Sequence, residues 1–414
     1  LLYISPHGAT TMDGGAVGSK MMPSGRAIAT HRAVVMAWAH AHRTVSTWLS
    51  ADIDMVIGRC RCRYRPVRIA IGGHDGGDDK LFGGRCGHCE DVFVILQSYI
   101  YLYSMDNLLA RRLRRWGWGI GIATVVIVVV LALAGAYMLD YSLFPKMRHG
   151  HNLPWRLDNI ISESPQLRPW ADSLKHCHAL HDTVVLMPTG ERHHATYINA
   201  SEPSRKVAVL VHGYRDNGMG MMHVASIYHH MGYNILLPDL HAHGKSEGEG
   251  VQMGWKDRLD VMRWMAVADS LWGGTEGTAM VLHGISMGAA TVMCVSGERL
   301  PDYVKCFVED CGYTSVWDEF EHELDSQFHL PAFPLLYTTS LQCKLRYGWS
   351  FGEASPLRQV ARCHKPMLFI HGDRDTYVPF AMMQRLYDAK PEPKQMWIAR
   401  GSIHAMSFRD HPLE

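Results

Sequence analysis

One serine stands where a nucleophile would. Gly284-Ile285-Ser286-Met287-Gly288 follows the apolar run Thr278–Leu282 and precedes the small-residue stretch Ala289-Ala290-Thr291-Val292-Met293. A serine on a sharp strand-to-helix turn holds its hydroxyl above a sheet, and glycines on either side let neighbouring backbones pass closely. The helix start beneath it favours developing negative charge. This is the equipment of acyl transfer, and it requires a base and an acid that orients the base. For an elbow of this kind the chain order is serine, acid, histidine. His404, in Gly401-Ser402-Ile403-His404 just beyond the run Gln395–Ile398, is the base. Asp373 and Asp375, two apart in His371-Gly372-Asp373-Arg374-Asp375-Thr376-Tyr377-Val378-Pro379 after Met367–Ile370, both compete for the acid. Asp310, after Val304–Glu309, is a further alternative, although Cys311-Gly312-Tyr313 reads as a structural turn. Backbone N–H groups of Met287 and of Tyr214, in His212-Gly213-Tyr214, are the expected oxyanion donors, each contributing on the order of 3 kcal/mol to the transition state. The His212 side chain reads as a buttress for that loop.

These residues need a scaffold, and the pattern around them supplies one. From His181 onward, apolar strand-like runs alternate with helical ones: Thr183–Leu186, His194–Ile198, Val207–Val211, Asn234–Leu237, then a helix over Trp255–Ala268 carrying Leu259, Met262 and Met265 or Ala266 at helical spacing. Continuous apolar runs such as Val207-Ala208-Val209-Leu210-Val211 indicate strands buried on both faces. The alternation predicts an α/β fold, a mostly parallel central sheet with helices on both faces. Between the strand at Val308 and the acid strand lies a stretch rich in aromatics, about 315–355, with Phe320, Phe328, Phe333, Leu335 and Tyr337. Its position suggests a small cap that shapes an apolar acyl pocket.

With these motifs in place, residues 181–414 resemble the α/β-hydrolase superfamily. They are most similar to membrane-associated bacterial serine hydrolases of the serine aminopeptidase-like and esterase-like branch. The resemblance is carried by His212-Gly213-Tyr214, Asp239 with Gly244-Lys245-Ser246-Glu247-Gly248, Gly284 to Gly288, His371 to Pro379 and His404. It implies that Asp375 is the triad acid, in the H-G-x-x-D-x-x-V-P pattern, with Asp373 second. It also implies that Asp239 and the loop after it organise the turn beneath the site. Ten residues follow His404, where the resemblance implies a closing helix behind the histidine loop.

Upstream, Trp116–Leu139 carries no charge and is long enough to cross a bilayer as a helix. Arg111, Arg112, Arg114 and Arg115 precede it and Asp140 follows, which favours a cytoplasmic N-terminus and an extracytoplasmic C-terminal domain on the cytoplasmic membrane, single-pass. Trp116, Trp118 and Tyr137 suit the two interfaces. A cleaved signal is the competing reading, with small residues at Ala132-Leu133-Ala134 and Ala134-Gly135-Ala136 and a start at Met105. The organisation expected is therefore 1–104 unassigned, reading as disordered or non-native sequence; 105–140 a basic flank and transmembrane anchor; 141–180 a linker; and 181–414 the hydrolase domain.

Bland readings dispose of other features. Cys60-Arg61-Cys62 and Cys86-Gly87-His88-Cys89 loosely suggest four thiolates around zinc, but nothing near them reads as a zinc ribbon. His223, His229, His230, His241 and His243 lack a third ligand at a recognised spacing and read as scattered surface histidines. Cys306 with Cys311 and Cys343 with Cys363 are candidate disulfides in an exported domain. A net charge of +1 gives no reason to expect nucleic acid as a partner. The expectation is an anchored serine hydrolase that cleaves a small acyl ester through an acyl-enzyme, with no metal and no cofactor. An aminopeptidase or amidase of the same fold is the alternative; a catalytically silent, membrane-bound interaction module is another.

Overall fold

The computed structural model describes residues 87–144 and 153–413. The four cysteines proposed as thiolate ligands lie outside the residues whose side chains are described. In chain order the elements are α1 (Gly87–Leu143), α2 (Leu153–Glu163), α3 (Arg168–His176), β1 (His181–Leu186), β2 (Arg192–Ile198), β3 (Lys206–Val211), α4 (Met222–His230), β4 (Asn234–Pro238), α5 (Asp257–Trp272), β5 (Ala279–Ile285), α6 (Met287–Ser296), β6 (Val304–Asp310), α7 (Val316–Phe328), α8 (Leu335–Tyr347), α9 (Pro356–Val360), β7 (Met367–Gly372), α10 (Phe380–Ala389), β8 (Lys394–Ala399) and α11 (Ser407–Asp410).

Each predicted strand is present: β5 begins one residue later than expected and runs three residues further, and the others are extended by one or two. The sheet has eight strands in the order β1-β2-β4-β3-β5-β6-β7-β8. The first two pairings are antiparallel and the rest parallel. Strand alternation divides the interior into two cores. Along β3, Val207, Val209 and Val211 face one core while Ala208 and Leu210 face the other. The first core receives α5, α6 and the cap. The second receives α2, α3 and α4.

The segment expected to be a linker differs from that reading. Between α1 and β1 the chain forms α2 and α3, and Leu157, Ile160, Ile161, Ala171 and Leu174 bury against Leu210, Ile235 and Leu237 of the sheet. The i, i+3, i+4 spacing of Leu157, Ile160 and Ile161 is the signal for one buried helix face. The four prolines and two tryptophans from 145 to 170 obscured it.

α1 has 57 residues and a mean hydropathy of 2.7 over its most apolar window, enough by length and composition to span a bilayer. From Gln97 onward its side chains are exposed until the last turns. There Gly135, Leu139 and Leu143 turn a buried face to the first core. Val251 donates its N–H to the Leu143 carbonyl at 2.7 Å, and the Tyr214 hydroxyl donates to that of Ser142 at 2.8 Å. The apolar helix thus ends as part of the globular core.

The expected disulfides are absent: Cys306, Cys311, Cys343 and Cys363 are all free. Cys306 and Cys311 are separated along and just past an extended strand, and at roughly 3.3 Å per residue they lie far beyond bridging distance.

Candidate active site

β5 delivers the chain into the elbow. Ser286 adopts φ 56° and ψ −118°, a backbone conformation rarely adopted by residues with a side chain. Close packing enforces it. A Cβ on Gly284 would lie 2.1 Å from the Gly288 carbonyl oxygen, and one on Gly288 would lie 2.0 Å from that of Val211. The Ser286 N–H donates to the Asp310 carbonyl at 2.8 Å, tying the elbow to β6.

The loops after β7 and β8 bring in the other predicted residues. His404 Nε2 stands 2.8 Å from Ser286 Oγ, and His404 Nδ1 stands 2.7 Å from Asp375 Oδ2. The second Asp375 oxygen, Oδ1, accepts the N–H groups of Tyr377 and Val378 at 3.0 and 2.9 Å. His371 Nε2 lies 3.3 Å from Asp375 Oδ2 and 2.8 Å from the Val378 carbonyl. Burial alone would raise the Asp375 pKa, but hydrogen bonding and charge from His371 and His404 outweigh it and bring the value down to about 2. Asp375 is thus a carboxylate across the working pH range.

The rival acids do other jobs. Asp373 accepts the Gly401 N–H at 2.6 Å and pairs with Arg400 at 3.3 Å, holding the loop that leads to His404. Asp310 is buried and accepts the Ser407 hydroxyl, bracing α11 behind the histidine loop. Burial pushes its carboxyl up to about 6 against the pull of Ser407, His371 and His404.

Met287 is the first residue of α6, where N–H groups have no carbonyl one turn earlier in the helix. The loop carrying Tyr214 abuts the elbow, with the Gly213 Cβ position 3.5 Å from Ser286 Cβ. His212 Nε2 accepts the Leu240 N–H at 3.0 Å, as expected of a buttress. Asp239 takes the N–H groups of Gly218 and Lys245 at 2.7 and 2.9 Å and pairs with His194 at 2.8 Å, fixing both loops.

Ser286 opens onto two cavities. One, about 740 Å³, is enclosed by α7, α8, the end of α1 and Tyr377. The other, about 410 Å³, lies beside His404 between Ile160, Arg215, His223 and Phe408. The cap aromatics divide their roles: Phe320 packs on the core and lines the large cavity, Phe328 and Leu335 line it, and Phe333 and Tyr337 face outward.

Sequence reasoning missed several lining residues. Glu319 and Glu323 project from one face of α7 into the large cavity. Burial raises both carboxyls, Glu319 well above the usual range, and its Oε2 has no hydrogen-bond partner among the described residues. The i, i+4 spacing of Glu319 and Glu323, which puts both on one face of α7, was the available signal. Tyr137 and Tyr141, from the end of α1, could not be placed there without the three-dimensional path of the chain.

The histidines also differ from expectation. His241 and His243 are buried, not on the surface, because β4 carries the chain inward before its loop turns. His241 and the fully buried His193 converge with Glu191, three groups whose ligand atoms lie close enough to hold a metal ion. Cys311, Asp375 and His404 form a second such group, in which Asp375 and His404 are already engaged with each other.

Residues 223–409 match the model of the prolyl oligopeptidase family. An uncharacterized Bacillus subtilis protein, YqkD, is 30% identical over 213 residues, covering 51% of this chain and 69% of that protein. The chain belongs to the α/β-hydrolase superfamily. Another relative of this hydrolase, the uncharacterized YfhR of Escherichia coli strain K12, is 22% identical over 211 residues, covering 49% of this chain and 65% of that protein. The aligned parts thus span about two-thirds of these relatives. Among solved structures, the hydrolase is similar to an esterase from Pyrococcus furiosus, with a TM-score of 0.45, 22% identity and coverage of 56% of this chain and 87% of that one. An acylaminoacyl peptidase from Pyrococcus horikoshii gives a TM-score of 0.42, 16% identity and coverage of 56% and 38%.

Proposed function

We propose that the protein is a membrane-anchored serine hydrolase that cleaves carboxylic esters, with Ser286 as nucleophile, His404 as base and Asp375 as orienting acid. The unbroken chain from Ser286 Oγ through His404 to Asp375, at 2.8 and 2.7 Å, is the observation that carries this reading. Ser286 Oγ attacks the substrate carbonyl as His404 Nε2 takes its proton. Asp375 holds the Nδ1 proton and stabilises the imidazolium. The N–H groups of Met287 and Tyr214 meet the oxyanion. His404 returns the proton to the departing alcohol, and a water molecule repeats the sequence to release the acid. In this reading 105–140 is the anchor, with Arg111 to Arg115 on the cytoplasmic side and the catalytic domain outside. α2 and α3 belong to the catalytic domain, since they complete its second core.

Ester cleavage is favoured by the large cavity, whose walls of Phe320, Leu324, Phe328, Leu335 and Phe351 suit an acyl chain. The match to the prolyl oligopeptidase family favours a second reading, amide or aminoacyl cleavage by the same triad. A fluorophosphonate probe applied to the detergent-solubilised chain should label it, and Ser286→Ala should abolish the label. A folded wild-type chain that takes no label makes the protein a silent interaction module instead. Comparison of p-nitrophenyl acyl esters with aminoacyl amides decides between the two hydrolytic readings.

A further inference from the structure

The cap has an apolar outer face. On α8 and just before it, Phe333, Tyr337, Leu341 and Leu345 recur every four residues and are 72%, 56%, 59% and 76% exposed. That spacing lays them along one stripe of a helix. Inward-facing Leu336, Thr339, Ser340 and Cys343 already fasten α8 to the domain, so the stripe is surplus to folding.

The same helix touches α1 at a telling depth. Gln342 Nε2 donates to the Ala132 carbonyl at 2.8 Å. Thr338 and Gln342 close over Gly135, where a Cβ would lie 3.1 Å from Thr338 Cγ2 and 2.7 Å from Gln342 Nε2. Ala132 stands inside the uncharged run that ends at Leu139, about 10 Å before that end at 1.5 Å per residue. If Trp116–Leu139 crosses the bilayer, a helix seated on Ala132–Gly135 lies below the level where the span emerges. Its free face then meets acyl chains. Arg346, beside Leu345, places a cation where headgroups would be.

The large cavity lies against this junction. Tyr137 and Tyr141 of α1 form one wall, Phe328 and Leu335 of the cap another, and Ser286 the floor. Side chains close the seam between the walls: Tyr141 donates to Gln327 Oε1 at 3.2 Å and meets Phe328 edge-on at 5.8 Å.

We infer that the α8 stripe inserts into the bilayer leaflet around the C-terminal end of α1, and that the enzyme takes long-chain acyl esters from that leaflet through the seam between α1 and the cap. The substrate class is a membrane-resident amphiphile whose acyl chain lies in the large cavity and whose ester carbonyl meets Ser286. This inference rests on the anchored-esterase reading and narrows it.

The test reconstitutes the full chain in phosphatidylcholine vesicles, with Cys60, Cys62, Cys86, Cys89 and Cys177 replaced by serine. An environment-sensitive fluorophore is attached at Leu341→Cys or, for comparison, at Glu276→Cys, which precedes β5 at the opposite end of that strand from Ser286. Brominated lipid should quench the label at 341 and leave that at 276 unchanged. An unquenched label at 341 overturns the inference, and self-crosslinking there would assign the stripe to a second copy of the chain. This readout is independent of catalysis. The substrate arm compares vesicle-embedded p-nitrophenyl palmitate with soluble p-nitrophenyl butyrate. Leu341→Glu with Leu345→Glu should slow the palmitate ester at least tenfold and leave butyrate turnover and fluorophosphonate labelling intact. Equal effects on both esters overturn lateral delivery. Loss of labelling in the unaltered chain would instead sink the hydrolase reading.

Discussion

The elbow around Ser286 and the seam between α1 and the cap meet at one cavity but are built in opposite ways. The elbow is local: five consecutive residues, two of them glycines, locked by backbone contacts that no side chain can relieve. The seam joins partners far apart in sequence, Ala132 with Gln342 and Tyr141 with Gln327, through long, partly exposed side chains. Rigid backbone fixes the position of a nucleophile to within tenths of an ångström, as bond-making demands. Side-chain contacts let a wall yield to a substrate of variable length. The difference suggests that chemistry is set at the elbow and selection at the seam.

Methyl groups added to each region should expose the contrast most strongly. Gly288→Ala drives a Cβ to 2.0 Å from the Val211 carbonyl, a backbone atom at the centre of the sheet. We expect loss of folded protein, or a melting temperature lowered by ten degrees or more in a thermal scan. Gly135→Ala meets the end of a flexible glutamine at 2.7 Å, which can swing aside. It should melt within a few degrees of the parent. Comparable losses from both would show the seam to be as unyielding as the elbow.

Within the site, Asp375→Asn should lower kcat by roughly 10⁴, the cost of presenting His404 in the wrong tautomer to a serine. Asp373→Asn should leave kcat within a few-fold, because its carboxylate orders the 399–401 turn without touching His404. Steady-state rates on a soluble ester measure both, and equal losses would mean that the two aspartates share the role.

The same local versus distant division decided what the sequence revealed. The elbow, the strand runs and the histidine loop carry their signals within a few residues, so Ser286 and His404 could be nominated from spacing alone. The choice of Asp375 over Asp373 needed the resemblance, since both lie in one loop and only the fold turns one of them toward His404. The helices at 153–176 were missed because their apolar faces are short and flanked by prolines. The inward histidines were missed because burial is a property of the whole sheet. Tyr137 was read as part of an interface belt and Tyr141 was not singled out, and nothing in the chain order places either over a serine some 150 residues later.

The buried ionisable groups offer a smaller, distributed effect. Burial raises Glu309 and Asp260 to about 8 and Asp257 to about 7, so the fold holds their protons while the unfolded chain loses them near pH 4–4.5. Their contribution is complete below that range and is lost as pH rises toward 8. His193, His243 and His283 are lowered, chiefly by burial, to about 4, 3 and 3. They contribute above about pH 6.5 and lose that contribution as pH falls. The two sets oppose each other between about pH 4.5 and 6.5, and above that the acids act alone, each by up to ~1.4 kcal/mol per pH unit. Melting temperature should therefore fall from pH 6.5 to 8. Glu309→Gln should remove about a third of that slope, and an unchanged slope would place the effect elsewhere.

Tyr214 joins the two regions in one residue and gives the finest test. Its backbone N–H is the proposed oxyanion donor at the elbow, whereas its hydroxyl reaches across to the Ser142 carbonyl at the end of α1. Tyr214→Phe removes only the second contact. One lost hydrogen bond costs on the order of 1 kcal/mol, and the carbonyl left behind is itself part-buried. Melting should drop by about 2–4 °C for a domain of this size. Turnover of a short soluble ester should stay within about twofold, since the peptide N–H is untouched. A large fall in kcat on that ester would mean that the hydroxyl positions the oxyanion loop through α1, and the division between elbow and seam would then fail at the one residue that belongs to both.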